Sequence, residues 1–179
     1  MNGILCRGDA EEAPAVDQDK DVKWYIPHHG VYHPKNSKIG VVFDCSAKYK
    51  GTSLNDHLLR GPDLTNNLIG VLYRFRRYPY TITFGVEKMF HQFVIRKVDG
   101  DYLRFLWWPN GDVSQDPKEY GMKVHLFGAT SSPGCARYDF KYMANQEKEV
   151  YPATVQFISH DFYADDGLAS QNFGSKHNV

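Results

Sequence analysis

The sequence predicts an α+β domain built mostly of antiparallel strands. Three observations carry that expectation. Tyr80–Glu87 alternates, with Tyr80, Ile82, Phe84 and Val86 on one side and Thr81, Thr83, Gly85 and Glu87 on the other, the period of a half-buried strand. Leu64, Leu68, Leu72 and Phe75 recur at helical spacing behind Asp63, a residue suited to cap a helix. Turn signals sit between apolar runs, above all Asn110-Gly111 and Ala164-Asp165-Asp166.

The chain has 179 residues, which suits one domain or one domain plus part of another. Aromatic residues make up 15%, too many for wholesale disorder. Lys and Arg number 21 and Asp and Glu 21, so a basic tail of the histone kind is excluded. A local basic groove on a neutral chain is not. Cys6, Cys45 and Cys135 are scattered and odd in number, which points to reduced thiols in a cytoplasmic or nuclear setting rather than a disulfide framework. Arg7, Asp9, Glu11 and Glu12 leave no room for a signal-peptide apolar region, and no apolar run approaches the roughly 20 residues of a membrane span.

Taken in order, residues 1–21 read as a short helix and a flexible polar connector. Trp24–Ile26 reads as a strand, His28–Pro34 as a tight connection, Lys38–Asp44 as a buried β-branched strand, and Lys50–Asn55 as a loop. The helix expected over Asp63–Phe75 ends in Arg74, Arg76 and Arg77, which complement its dipole. Leu103–Trp108 and Met122–Phe127 read as strands flanking the Asn110-Gly111 turn. Ser132 followed by Pro133 starts a helix over Pro133–Glu147, with Ala136, Phe140 and Met143 on its apolar face. Val155–Tyr163 and Gly167–Ser170 then form a hairpin with two carboxylates at its tip, and Tyr80–Val86 is expected beside Val155–Tyr163, bringing the tip alongside Gly85.

That tip, Tyr163-Ala164-Asp165-Asp166, is the sharpest chemical feature. Adjacent carboxylates repel, and a hard divalent cation such as magnesium resolves the repulsion. On the tetrapeptide alone, a solvated Asp-Asp turn is an equal reading. His28, His29 and His33 lack a cysteine partner and make a weak zinc pattern. Arg74–Tyr80 mixes bases and aromatics as single-strand binders do, although a solvated helix end explains it as well. Cys135 has no base placed near it and reads as a small buried residue.

Longer segments narrow these readings. Trp24–Pro34 (WYIPHHGVYHP), Val41–Leu58 (VVFDCSAKYKGTSLNDHL), Gly61–Asn66 (GPDLTN), Glu87–Phe93 (EKMFHQF), Tyr102–Trp108 (YLRFLWW), Lys123–Cys135 (KVHLFGATSSPGC) and Phe162–Leu168 (FYADDGL) together resemble the reverse transcriptase of BEL/Pao long-terminal-repeat retrotransposons. The resemblance implies a right-hand polymerase. It places a polar lead at 1–23, part of the fingers at 24–78, and a palm at 79–179 with a fingers insertion around 97–121. That palm is expected to be incomplete and without a thumb.

The resemblance also implies roles. Asp165 and Asp166 match the metal-binding aspartates of a two-magnesium nucleotidyl transfer, and Tyr163 lies beside the primer terminus. Phe90 stacks under the incoming sugar. Phe127, Gly128, Ser132 and Pro133 line the nucleotide and template side, and Lys38 faces the triphosphate. The implied partners are an RNA or DNA template–primer and deoxynucleoside triphosphates, with no membrane and no small-molecule cofactor.

Three positions depart from the family: Gly85 replaces the first motif aspartate, Gly40 an arginine of the fingers strand, and Gly121 a further arginine. Glu87 does not make good the loss at Gly85, because the family carries that glutamate together with the aspartate. The expectation is therefore an RNA-directed DNA polymerase domain impaired in this copy. The alternative is a non-catalytic retroelement remnant that binds nucleic acid.

Overall fold

The computed structural model describes residues 1–14, 22–35 and 37–172. From residue 15 onward the expected polar connector lies outside them. The elements run α1 (Asn2–Arg7), β1 (Ala10–Glu12), β2 (His28–His33), β3 (Lys38–Phe43), α2 (Leu68–Phe75), β4 (Tyr80–Gly85), β5 (Arg104–Trp107), β6 (Lys118–Met122), α3 (Ser132–Gln146), α4 (Pro152–His160), β7 (Phe162–Tyr163) and β8 (Asp166–Gln171). Among the described residues no helix is long and apolar enough to cross a membrane. The chain divides into two compact units, Met1–Arg60 with Phe90–Ser132, and Gly61–Met89 with the chain from Pro133 on.

The first unit holds an antiparallel sheet in the order β1-β6-β5 and a separate β2-β3 hairpin. Strand alternation sorts its side chains. Phe105, Tyr120 and Met122 turn into a core shared with Ile26, Phe43, Cys45, Leu54, Leu103, Val124 and Leu126. Phe105 and Tyr120 stack with ring centroids 5.7 Å apart. Arg104, opposite Gly121 in the register, is 1% exposed. It donates to Glu119 at 2.5 Å and, through Nε, to Asp101 at 2.9 Å. Burial by itself would depress the guanidinium, but the bonds from Asp101 and Glu119 outweigh it and raise its pKa.

Several expectations change here. Trp24–Ile26 is no full strand: Tyr25 makes a single parallel bridge to Arg104, because Trp24 and Ile26 use their backbone on Asp101 and Arg104. His28–His33 is strand β2 rather than a tight connection, paired residue for residue with β3. The β3 strand forms as expected but is buried only toward Phe43, since its start belongs to an exposed two-stranded hairpin. The second strand of the Asn110-Gly111 hairpin is Lys118–Met122, not Met122–Phe127. Past Met122 the backbone leaves β6, with Lys123 N–H bonded to Asp9 and His125 N–H to Phe93. Asn110 and Gly111 do turn the chain, both at positive φ (54° and 77°). The short helix Asn2–Arg7 appears and ends on Gly8 at φ 76°, but Ala10–Glu12 then adds a strand to the sheet.

The second unit holds the sheet β4-β8-β7 with helices α2, α3 and α4. Its packing centre is aromatic: Phe162 meets Phe84, Phe140 and Phe157 at 5.6, 5.1 and 5.5 Å between ring centroids. Helix α2 starts at Leu68, capped by Asn67, whose side chain accepts from Gly70 N–H at 3.0 Å. Asp63 does not cap it. Its carboxylate closes a local turn onto Thr65 N–H. The fully buried residue of α2 is Val71, and Leu68 is exposed. Helix α3 begins at Ser132-Pro133 as expected. Ala136 is buried on it, but Met143 is 62% exposed and Arg137 is buried instead.

The largest correction concerns Val155–Tyr163. Most of this stretch is helix α4, opened by Pro152 in its first turn, and only Phe162–Tyr163 is strand. The neighbour of β4 is therefore the return strand β8. As the edge strand of this sheet, β4 is exposed along its whole length rather than half-buried.

Candidate metal and nucleotide site

The acidic turn is built by β7 and β8. Tyr163 pairs with Asp166, and Ala164 takes φ 53°, a left-handed conformation that lets so short a connection reverse. Asp166 opens β8, where its cross-strand partner on β4 is Gly85. Val86 N–H donates to the Asp165 carbonyl at 2.9 Å. The hairpin tip thus lies alongside Gly85 as expected, although through β8. A β-carbon added at Gly85 would stand 3.3 Å from Asp166 Oδ1 and 3.8 Å from the Asp165 carbonyl oxygen. A side chain at this position projects beside the Asp166 carboxylate.

Adjacent residues at a strand start turn apart. Asp166 faces the Gly85 position, whereas the Asp165 carboxylate acts on Arg137 of α3. Arg137 is 3% exposed. Its Nη2 donates to the Phe162 carbonyl at 3.3 Å, which also accepts from Asn66 Nδ2 at 2.8 Å. Burial lowers the Arg137 pKa, and the charges of Asp63 and Asp165 oppose that shift. One turn along α3, Lys141 donates to the Leu64 carbonyl at 3.1 Å. Arg137 and Lys141 therefore tie α3 both to the 61–67 loop and to the strand that leads into the acidic turn. Sequence reasoning missed Arg137. Its only signal was a basic residue one position after Ala136 on the apolar side of the helix.

The other expected residues, apart from Pro133, lie in the first unit. Phe90 and Phe127 are neighbours, with ring centroids 6.0 Å apart, and Phe127 is exposed. Gly128 has φ 104°, and a β-carbon there would come within 2.9 Å of the Phe43 carbonyl oxygen, so only glycine fits. Asn55 fixes this bend: its Nδ2 donates to the Gly128 carbonyl at 3.0 Å and its Oδ1 accepts from Thr130 N–H at 2.9 Å. Ser132 is buried with Oγ 3.5 Å from His125 Nδ1, and Pro133 is exposed in the first turn of α3. Lys38 begins β3 opposite His33 and is exposed. A β-carbon at Gly40 would meet only the Val31 carbonyl, at 3.8 Å, an ordinary van der Waals contact.

The donor set can be tested against a magnesium pair. Asp165 and Asp166 supply hard oxygens of the right kind. Among the described residues, however, no three His, Cys, Asp or Glu side chains converge to hold a metal ion, and the strand facing the turn carries Gly85. The residues do not fit a two-ion centre.

No protein-family model matches this chain, and neither does any curated protein. Solved structures do. The crystal structure of the prototype foamy virus protease–reverse transcriptase matches at TM-score 0.61 and 18% identity, over 96% of this chain and 19% of that one. The foamy viral protease–reverse transcriptase in complex with double-stranded DNA matches at TM-score 0.64 and 18% identity, over 94% and 24%. The same kind of protein in complex with an RNA/DNA hybrid matches at TM-score 0.64 and 19% identity, over 98% and 19%. The chain spans less than a quarter of the length of each. With its α+β units and their connectivity, it has the fingers–palm fold of retroviral-type reverse transcriptases.

Proposed function

We propose that this chain is the fingers–palm piece of a retrotransposon reverse transcriptase of BEL/Pao type, and that its RNA-directed DNA synthesis is impaired. The observation that carries the reading is the register of β4 on β8. It sets Asp166, at the acidic turn, opposite Gly85, the position to which the resemblance gives the first motif aspartate. The foamy viral complexes with double-stranded DNA and with an RNA/DNA hybrid support a template–primer as partner.

In this reading an intact relative takes two magnesium ions and deoxynucleoside triphosphates, and this chain binds magnesium weakly. Lys38 faces the triphosphate, and Phe90, Phe127 and Gly128 form the nucleotide side. Tyr163, Ser132 and Pro133 lie toward primer and template. Loss of one carboxylate and of the Gly40 arginine removes electrostatic stabilisation worth several kcal/mol, each 1.36 kcal/mol being tenfold in rate. Synthesis is then expected to fall by a factor on the order of thousands.

A second reading, a remnant that only binds nucleic acid, is favoured by one observation: among the described residues no three His, Cys, Asp or Glu side chains come together at the turn, where the reaction needs three carboxylates. Primer extension on an RNA template separates the two readings, with this sequence joined to an intact downstream region. No extension is expected with Gly85, and measurable extension is expected after Gly85→Asp with Gly40→Arg. Robust extension with Gly85 unchanged overturns the impairment. Failure of the double variant, with template–primer binding retained, favours the remnant.

A further inference from the structure

Strand β4 has β8 on one side, and among the described residues no strand lies on the other. Its backbone alternates between the two sides. Val86 N–H donates to the Asp165 carbonyl toward β8, so Phe84, Ile82 and Tyr80 bond the same way. Thr81, Thr83 and Gly85 therefore turn their N–H and C=O groups to the open side. The side chains alternate as well. Phe84 packs on Phe157 and Phe162, and Ile82 and Tyr80 follow it along that face of the strand. Yet Ile82 and Tyr80 are 58% and 55% exposed. The order of the residues is symmetric. Tyr80-Thr81-Ile82-Thr83-Phe84 reads aromatic, threonine, isoleucine, threonine, aromatic from either end. A strand of that pattern complements itself when a second copy runs antiparallel to it.

We infer that the open edge of β4 is a self-pairing surface, at which a second copy of this chain adds its own β4 antiparallel, with Ile82 on the two-fold axis. In that register Ile82 faces the partner's Ile82 and Tyr80 faces the partner's Phe84, at the non-bonded positions where side chains come closest. Thr81 and the partner's Thr83 exchange the backbone bonds that the open side leaves over. Aromatic, β-branched and threonine pairs of this kind each favour pairing. Charge agrees with the antiparallel direction. Arg76 and Arg77, both exposed, lead into β4, while Glu87 and the acidic turn stand at its far end with Lys88 as the cation among them. Antiparallel pairing brings the arginines of one copy toward the acids of the other, whereas a parallel stack sets arginine on arginine. The contact is isologous, so it closes at two copies. It needs no metal at Asp165 or Asp166 and no polymerase activity.

The experiment is sedimentation velocity of the full chain over a concentration series. A monomer–dimer equilibrium is expected, and a weak one, because a single strand pair is a small contact. Ile82→Lys sets two ammonium groups face to face on the axis and is expected to weaken the dimer about tenfold or more. Val113→Lys, at an exposed apolar position of the first unit, is expected to leave it unchanged. Register is read by oxidation in a Cys6→Ser, Cys135→Ser background. Ile82→Cys is expected to link to itself, since non-bonded partners stand about 4.5 Å apart at Cα, within disulfide reach, and Tyr80→Cys is not. A chain that stays monomeric throughout the series overturns the self-pairing, and so does a dimer that Ile82→Lys leaves intact. Tyr80→Cys linking to itself as readily as Ile82→Cys marks a parallel in-register stack and overturns the two-fold. Should Ile82→Lys not fold, the two cysteine variants decide: a link at Ile82→Cys alone supports the dimer, and no link overturns it.

Discussion

Two buried arginines, one in each unit, are held in opposite ways. Arg104 is 1% exposed and clasped by Asp101 and Glu119, so that charge, hydrogen bonds and sheet register all close on it. Arg137 is 3% exposed, holds one backbone carbonyl, and leaves a terminal nitrogen without a partner among the described residues. Burial depresses both guanidiniums, but only at Arg104 do the partners win. The contrast separates a charge closed in by its partners from one that holds α3 to β7 through a single backbone bond. A scaffold charge is costly to remove because its partners are stranded, whereas an under-satisfied one takes little with it.

The largest expected effect tests the first half of that contrast. Arg104→Gln should destabilise the protein by about 2–3 kcal/mol in a urea melt, because it removes charge-assisted hydrogen bonds to two part-exposed carboxylates. Arg137→Gln should cost less than about 1.5 kcal/mol, the scale of one ordinary hydrogen bond. Equal losses at the two positions would erase the distinction.

Next comes Gly85→Asp. With magnesium absent, a third carboxylate beside Asp166 should lower stability by about 1–2 kcal/mol, the size of like-charge repulsion near a surface. Millimolar magnesium should restore it, which a thermal melt with and without chelator reads directly. A melt insensitive to magnesium would mean that the new carboxylate does not join the pair.

A smaller effect sharpens the comparison from the first unit. His28 packs against Phe43, Phe105 and Trp107, and burial lowers its pKa. The unfolded chain therefore takes up the proton more readily than the folded one. Stability is full above the unfolded value of about 6.5 and is lost as pH falls from there toward the lower folded value. Denaturant midpoints across that window should drop in the parent and flatten in His28→Phe. The smallest effect is chemical. Cys45, whose thiol burial raises to about 11, should resist a maleimide in the native state, while Cys6 and Cys135 react; Cys135, expected to be buried, is instead exposed on α3.

How much of this was legible in the sequence depended on where the deciding interaction lay. The start of α3 was readable because Ser132-Pro133 is a local signal, and so was the reversal at Asn110-Gly111. The acidic turn and its approach to Gly85 were readable from motif resemblance, but the strand that delivers the approach was not. Thr154, Val155, Phe157 and Ile158 carry strand propensity, yet they form α4 because Pro152 opens a helix and Phe157 finds Phe84 and Phe162, rings distant in sequence or beyond its own helix. Asp63 looked like a cap because its residue type permits it. Asn67 won because it alone stands at the right offset from Gly70 N–H. Arg137 was invisible because its importance comes from burial, and no spacing rule predicts that a basic residue will be enclosed.

The exposed edge strand bears on the protein as a solute. Tyr80–Gly85 pairs on one side with β8, and among the described residues its other side carries no strand. The six residues include no lysine, proline or other charge, the devices by which natural sheets blunt an open edge. Uncharged, β-prone segments of this length are the units from which cross-β aggregates grow. Concentration, more than temperature, should therefore limit how long the folded chain persists in a tube, and losses should begin at this strand while the acidic turn is still intact.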